Sequence, residues 1–181
     1  MSLVREVAAT LHGAGIRCAL IGAAGMAVHG IARSTVDIDL LVTDRAALRS
    51  GTWSTLRSAG CAVDIRHGDA SDPLAGVVTV ERGAERPVDV IVGEAPWQRR
   101  IVAEARPGRV ADAELPVATP AGLVLLKLYA GGPGDQWDIH QLLAAAGDPR
   151  RLREEVTRRL DELPGRCRAL WNRILSEAPP R

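Results

Sequence analysis

With 181 residues, 46% of them hydrophobic, the chain is long enough for one domain with a substantial core plus a helical appendage. Its net charge is +1 and aromatics make up only 3%, which excludes a strong global field for nucleic acid and an extended base-stacking platform. No apolar run approaches the roughly 20 residues of a membrane span, no secretory h-region is present, and Cys18, Cys61 and Cys167 are isolated, so a cytoplasmic protein without a zinc or redox motif is expected.

In chain order, apolar periodicity predicts a helix near 2–13, a strand at 17–22, a short helix at 23–30 and a strand at 36–42. A helix near 44–58 follows, then strands near 61–66, 76–82 and 87–92, the last two forming a hairpin that turns at Gly83-Ala84-Glu85. Between the first two of those strands, Asp69-Ala70-Ser71-Asp72-Pro73 reads as a loop. A helix near 95–104 and a short strand around 110–117 lead to helices at 120–130 and 135–146. Thr119 as N-cap, Pro120 at the first helical position and Gly131-Gly132 beyond the end delimit the first of this pair.

Leu152, Val156, Leu160 and Leu163 make one further helical stripe, and after Pro164-Gly165 a second runs through Cys167, Leu170, Trp171, Ile174 and Leu175. Nine basic and six acidic residues lie between Asp148 and Arg181, a mixture that reads as a solvated face with intrahelical ion pairs. Trp53, Trp97, Trp137 and Trp171 are dispersed and read as core or helix-packing residues. Strands first and helices later predict an α+β domain, a mixed sheet flanked by helices, with a C-terminal helical bundle.

The run Val36-Asp37-Ile38-Asp39-Leu40-Leu41-Val42 carries the most chemical information. Side chains alternate along a strand, so Val36, Ile38, Leu40 and Val42 are expected on one face, with Asp37 and Asp39 on the other, roughly 6 to 7 Å apart. Adjacent like charges repel, and a hard divalent cation, Mg²⁺ first, relieves that repulsion through carboxylate oxygens. An edge strand with one solvated face would also show alternating Asp. Upstream, Gly22-Ala23-Ala24-Gly25 is a small-residue turn at a helix start, where backbone N–H groups can approach phosphate oxygens. Arg33 stands four residues before Asp37, within reach of a phosphate held by the same metal.

In these residues the chain resembles the polymerase-β-type nucleotidyltransferase superfamily, and within it small bacterial stand-alone members similar to the toxins of abortive-infection systems. Gly22, His29, Gly30, Arg33, Thr35, Asp37 and Asp39 fall in register on the pattern of a strand ending in Gly-Gly or Gly-Ser, a short helix closing on His-Gly, and Arg-x-Thr-x-Asp-x-Asp. Ala23 stands where that pattern has a second Gly or Ser, which removes a hydroxyl that some members use on the triphosphate. The resemblance implies a third carboxylate on a later strand. Asp89, in Arg86-Pro87-Val88-Asp89-Val90-Ile91-Val92, fits better than Asp64, because its strand is more apolar and an unpaired buried carboxylate there would be costly. A partnership of Asp89 with Arg86 or another arginine is the alternative.

Further on, Lys127, Asp135 and Asp138 match a helix lysine followed by a basic-Asp pair and another Asp three residues later, with Gly134 in place of the basic residue. Lys127 is the only lysine among 23 basic residues, and an arginine-rich chain that keeps one lysine suggests a use for a compact ammonium. Taken alone, Asp135 also reads as the N-cap of the next helix, Asp138 as a first-turn acid, and His29 as a cap on a carbonyl.

The resemblance implies a catalytic core over 1–118, with a C-terminal helical part over 119–181 packed on it. It also implies transfer of an NMP from an NTP to an acceptor hydroxyl, with release of pyrophosphate. Asp37, Asp39 and Asp89 would hold two Mg²⁺ ions and act as the catalytic carboxylates. Gly22, Ala23, Arg33, Thr35 and Lys127 would bind the nucleotide. The acceptor, whether a protein, a tRNA or a small molecule, is left open, as is a cognate antitoxin partner. A fold of this type that binds a nucleotide or a partner protein without catalysis is the other reading, supported by Ala23 and Gly134.

Overall fold

A strand buried on both faces must be covered twice, and that requirement sets the architecture. In the computed structural model of the protein, which describes residues 1–69 and 74–177, the described residues form seven strands in one mixed sheet. These are β1 (Cys18–Leu20), β2 (Ile38–Val42), β3 (Ala62–His67), β4 (Leu74–Glu81), β5 (Val88–Gly93), β6 (Arg106–Val110) and β7 (Ala113–Val117), in spatial order β3-β4-β5-β2-β1-β7-β6. β2 runs parallel to β5 and β1 parallel to β7, and the other neighbours are antiparallel.

The helices are α1 (Leu3–Gly13), α2 (Gly22–Val28), α3 (Ser54–Ser58), α4 (Pro96–Glu104), α5 (Pro120–Ala130), α6 (Pro133–Ala145), α7 (Pro149–Arg159) and α8 (Gly165–Glu177). On one face of the sheet, Ile38, Leu40, Val42, Val88, Val90 and Val92 pack under Leu3, Val4, Val7 and Leu11 of α1 and under Trp53. Full burial of each such aliphatic side chain contributes about 1.5–3 kcal/mol. On the other face, Ala19, Ile21 and Leu41 share a core with Trp97 and Ile101 of α4, Leu123 and Leu128 of α5, Ile139 of α6, Val156 of α7 and Trp171 of α8. The mixed sheet flanked by helices and the C-terminal helical bundle are as expected.

Several elements differ from expectation. The Asp strand begins at Ile38, and Val36 is 80% exposed instead of sharing the buried face of Ile38, Leu40 and Val42. Thr35 turns the chain there, its hydroxyl donating to the carbonyl and the carboxylate of Asp37. The helix expected near 44–58 is two 3₁₀ turns, at 45–48 and 50–53, before the short α3. The Thr52 hydroxyl and the Trp53 indole donate to the carbonyls of Ala46 and Ala47, taking acceptors that a continuous helix would use.

The single strand expected around 110–117 is a hairpin, β6–β7, turning through Ala111 at φ +52°. Pro107 and Pro116 pair across it, and their missing N–H groups disguise its strand character. α6 starts at Pro133, two residues earlier than expected, so Asp135 is not the N-cap and accepts instead from the Gly132 N–H at 3.0 Å. Trp53, Trp97 and Trp171 are buried, but Trp137 is half exposed. Of the stretch expected to be a loop at 69–73, positions 70–73 lie outside the described residues. Among the described residues no helix is long and apolar enough to cross a membrane.

α5 follows its predicted limits: Thr119 Oγ1 accepts from the Gly122 N–H at 3.1 Å, Pro120 opens the helix, and Gly131 closes it in the left-handed region at φ +74°.

Candidate active site and metal centre

Alternation along β2 puts Asp39 and Leu41 on the face opposite Ile38 and Leu40, and parallel pairing sets Asp39 directly beside Asp89 of β5. Asp37, in the bend that feeds β2, completes the group. One oxygen from each of the three carboxylates lies within 4.8 Å of the others. Asp64 is exposed on β3, 3.4 Å from Arg66, and is not among them. Asp89 pairs with no arginine among the described residues; its bonded neighbour is Thr79, whose hydroxyl donates to Oδ1 at 2.6 Å. Thr35 does the same for Asp37 at 2.7 Å.

Asp39 has neither a hydrogen bond nor an ion pair to its carboxylate among the described residues. Burial pushes its pKa up to about 6, the charges of Asp37 and Asp89 push the same way, and Lys127 opposes them. Three converging carboxylate oxygens of this kind, with that of Asp39 uncompensated, fit a hard divalent cation such as Mg²⁺.

Gly22 opens α2 against this cluster. It sits at φ +61°, and a Cβ there would lie 1.9 Å from Asp39 Oδ2. Gly22→Ala is therefore expected to lower stability by about 1–3 kcal/mol through clash and backbone strain. The clash with the carboxylate should disappear in an Asp39→Ala background, leaving the backbone strain and a 3.2 Å contact with the remaining Cβ, as a double-mutant cycle of urea unfolding would show. Ala23 follows in the first turn of α2, where backbone N–H groups lack intrahelical partners.

Arg33 and Lys127 meet at Asp138. The Asp138 carboxylate is fully buried, pairs through Oδ2 with the Arg33 guanidinium, and lies 2.7 Å from Lys127 Nζ. Lys127 also donates to Asp135 Oδ1 at 2.9 Å. Burial alone would depress the lysine, but its bonds to Asp138 and Asp135 outweigh that and hold its pKa above the ordinary value. Lys127 lines, with Gly22, Asp39, Leu41, Ile91 and Tyr129, a cavity of about 470 Å³ between the sheet and α5. A larger groove of about 810 Å³, beside Arg5, His12 and Arg17, contains none of these groups.

His29 ends α2 and hydrogen-bonds through Nε2 to the Ala118 carbonyl at 2.8 Å, where it fastens α2 to the end of β7. The three cysteines are free and buried, and burial pushes the Cys18 thiol up to about 11, so it is no nucleophile at neutral pH. Sequence reasoning missed Thr79, whose only signal is a polar residue in the apolar run Val77-Val78-Thr79-Val80. It also missed the bond from Arg33 to Asp138, which spans 105 positions.

No family model matches this sequence, and no curated protein sequence matches it. Among solved structures, the chain is similar to the antibiotic-resistance factor ANT(2'')-Ia in its solution structure, with a TM-score of 0.49 and 18% identity over 96% of this chain and 90% of that one. The same protein in complex with adenylyl-2''-tobramycin gives 0.48 and 15% over 96% and 95%. An antigenic nucleotidyltransferase-like protein from Paracoccidioides brasiliensis gives 0.49 and 18% over 93% and 90%.

Proposed function

We propose that the chain is a Mg²⁺-dependent nucleotidyltransferase, moving an NMP from an NTP to an acceptor hydroxyl with release of pyrophosphate. The observation that carries this reading is the convergence of one oxygen each of Asp37, Asp39 and Asp89 within 4.8 Å, with no ion pair from these carboxylates to a cationic side chain among the described residues. In this account the three carboxylates hold Mg²⁺, two ions in the full complex. Bound there, the metal would lower the pKa of the acceptor hydroxyl and offset charge on the pyrophosphate.

The chain's own residues do the rest. Gly22 and Ala23 receive the triphosphate on backbone N–H groups, and the missing Cβ of Gly22 leaves room beside Asp39. Lys127, which lines the same cleft, adds positive charge, and Arg33 is held next to it by their shared partner Asp138. Thr35 holds Asp37 in place. The acceptor oxygen attacks the α-phosphorus as the bond from that phosphorus to the β-phosphate oxygen breaks. Asp89 accepts the hydroxyl proton, and pyrophosphate leaves.

The acceptor class is a protein side chain, a tRNA end or a small molecule. Kinship with abortive-infection toxins, and hence a cognate antitoxin, rests on the resemblance alone, through the pattern from Gly22 to Asp39 and the later Lys127, Asp135 and Asp138. One observation favours a binding module without catalysis: the cations that line the cleft are already engaged, Lys127 by Asp138 and Asp135 and Arg166 by the carbonyl and ring of Tyr129.

Incubation with each NTP labelled at the α-phosphate, Mg²⁺ and cell extract separates the two readings. The transferase predicts label in a protein, RNA or small-molecule fraction that disappears in Asp37→Ala and Asp39→Ala. A binding module predicts NTP retention with no transfer and no pyrophosphate.

A further inference from the structure

We propose that Thr79 is a positioning residue for the carboxylate centre, locking the rotamer of Asp89, and that Arg66 in turn fixes the Thr79 hydroxyl. The inference rests on the metal-dependent reading of the trio. Its starting point is cross-strand register: Asp64, Thr79, Asp89 and Asp39 lie side by side on β3, β4, β5 and β2. Across that row runs a continuous polar chain. Arg66 Nε lies 3.4 Å from Asp64 Oδ2, Arg66 Nη2 donates to Thr79 Oγ1 at 3.2 Å, and Thr79 Oγ1 donates to Asp89 Oδ1 at 2.6 Å.

The direction of the chain follows from chemistry. A guanidinium can only donate and an ionised carboxylate can only accept, so the single hydroxyl proton of Thr79 must point to Asp89. A charge-assisted bond of 2.6 Å belongs to the strong class, unlike the water contact that a partly exposed strand threonine would otherwise make. With a lone pair of Oδ1 committed to Thr79, the Asp89 carboxylate is held in one orientation next to Asp37 and Asp39. Hydrogen bonds that orient a ligating carboxylate from behind set its affinity for metal.

Thr79→Val keeps the β-branched shape and removes only the donor, whereas Thr79→Ser keeps the donor. Calorimetric titration of the full chain with Mn²⁺ alone, without NTP, reads the effect directly. Thr79→Val is expected to weaken Mn²⁺ binding by about 10- to 100-fold, with Thr79→Ser restoring most of it. Arg66→Ala, at the exposed edge, should weaken binding by a smaller factor. Urea unfolding verifies that each variant is folded, and should Thr79→Val not fold, an unchanged affinity in Arg66→Ala overturns the proposal in its place.

Asp39→Asn separates the role of Thr79 from the metal centre itself. If the wild type binds Mn²⁺, Asp39→Asn does not, and Thr79→Val binds like the wild type, the role of Thr79 is overturned while the metal centre stands. If the wild type itself takes up no Mn²⁺, both are overturned.

Discussion

Replacing Asp39 by Asn is expected to raise the stability of the metal-free protein at pH 7 by up to about 3 kcal/mol while abolishing Mg²⁺-dependent transfer. The folded pKa of Asp39 is about 6, above the ordinary 3.8, so the folded state holds this proton more tightly than the unfolded chain. Between those values the unfolded state binds fewer protons, and the contribution of Asp39 to stability falls as pH rises. The stabilisation is fully present below about pH 3.8 and is lost above about pH 6. Urea unfolding of wild type and variant should therefore diverge between pH 4 and pH 7, with the variant the more stable at neutral pH. Millimolar Mg²⁺ should reverse the order, because only the wild type gains binding energy from it. A variant no more stable than the wild type at pH 7 without metal would contradict the picture of an uncompensated carboxylate.

Loss of Asp138 should act in the opposite direction. Its carboxylate is fully buried and pairs with both Arg33 and Lys127, and Lys127 is itself only 16% exposed. Removing one partner of a buried charge cluster costs about 3–5 kcal/mol. Asp138→Ala should thus lower Tm by on the order of 6–20 °C for a chain of this size. Arg33→Ala should cost less, since Arg33 is more than a third exposed and Asp138 keeps its bond to Lys127. Calorimetric scans of the two variants decide the ranking, and a larger loss in Arg33→Ala would overturn it. Because Arg33 anchors the segment that carries Thr35 and Asp37, Asp138→Ala should also weaken NTP binding.

The part of the site that is local in sequence was legible from it. Asp37 and Asp39 announce themselves because two carboxylates interrupt an apolar strand, and Gly22 because the small-residue turn precedes them. Asp89 was sought because the resemblance implies a third carboxylate and was preferred to Asp64 for its apolar flanks; the structure places it beside Asp39. What depends on register between distant segments was not legible. Thr79 is an ordinary strand residue until β4 pairs with β5 and sets it opposite Asp89. Asp138 looked like a first-turn acid until α6 brought it under Lys127 and Arg33, buried where helix-dipole reasoning expects solvent. Among the elements, 44–58 misled because its apolar spacing suits a helix, while Thr52 and Trp53 take the carbonyls that a helix would need. The β6–β7 hairpin was hidden by Pro107, on the edge strand β6, and by Pro116 of β7, a strand that β1 pairs only at Val117.

The central claim is that one centre, built on Asp37, Asp39 and Asp89, binds metal and nucleotide together. Its most direct measurement is a pair of calorimetric titrations, Mn²⁺ into the protein with and without a non-transferable NTP analogue, and the analogue with and without Mn²⁺. The account predicts that each ligand tightens the other by the same factor, and that Asp39→Asn abolishes the coupling. Nucleotide affinity independent of Mn²⁺, and unchanged in Asp39→Asn, would contradict it.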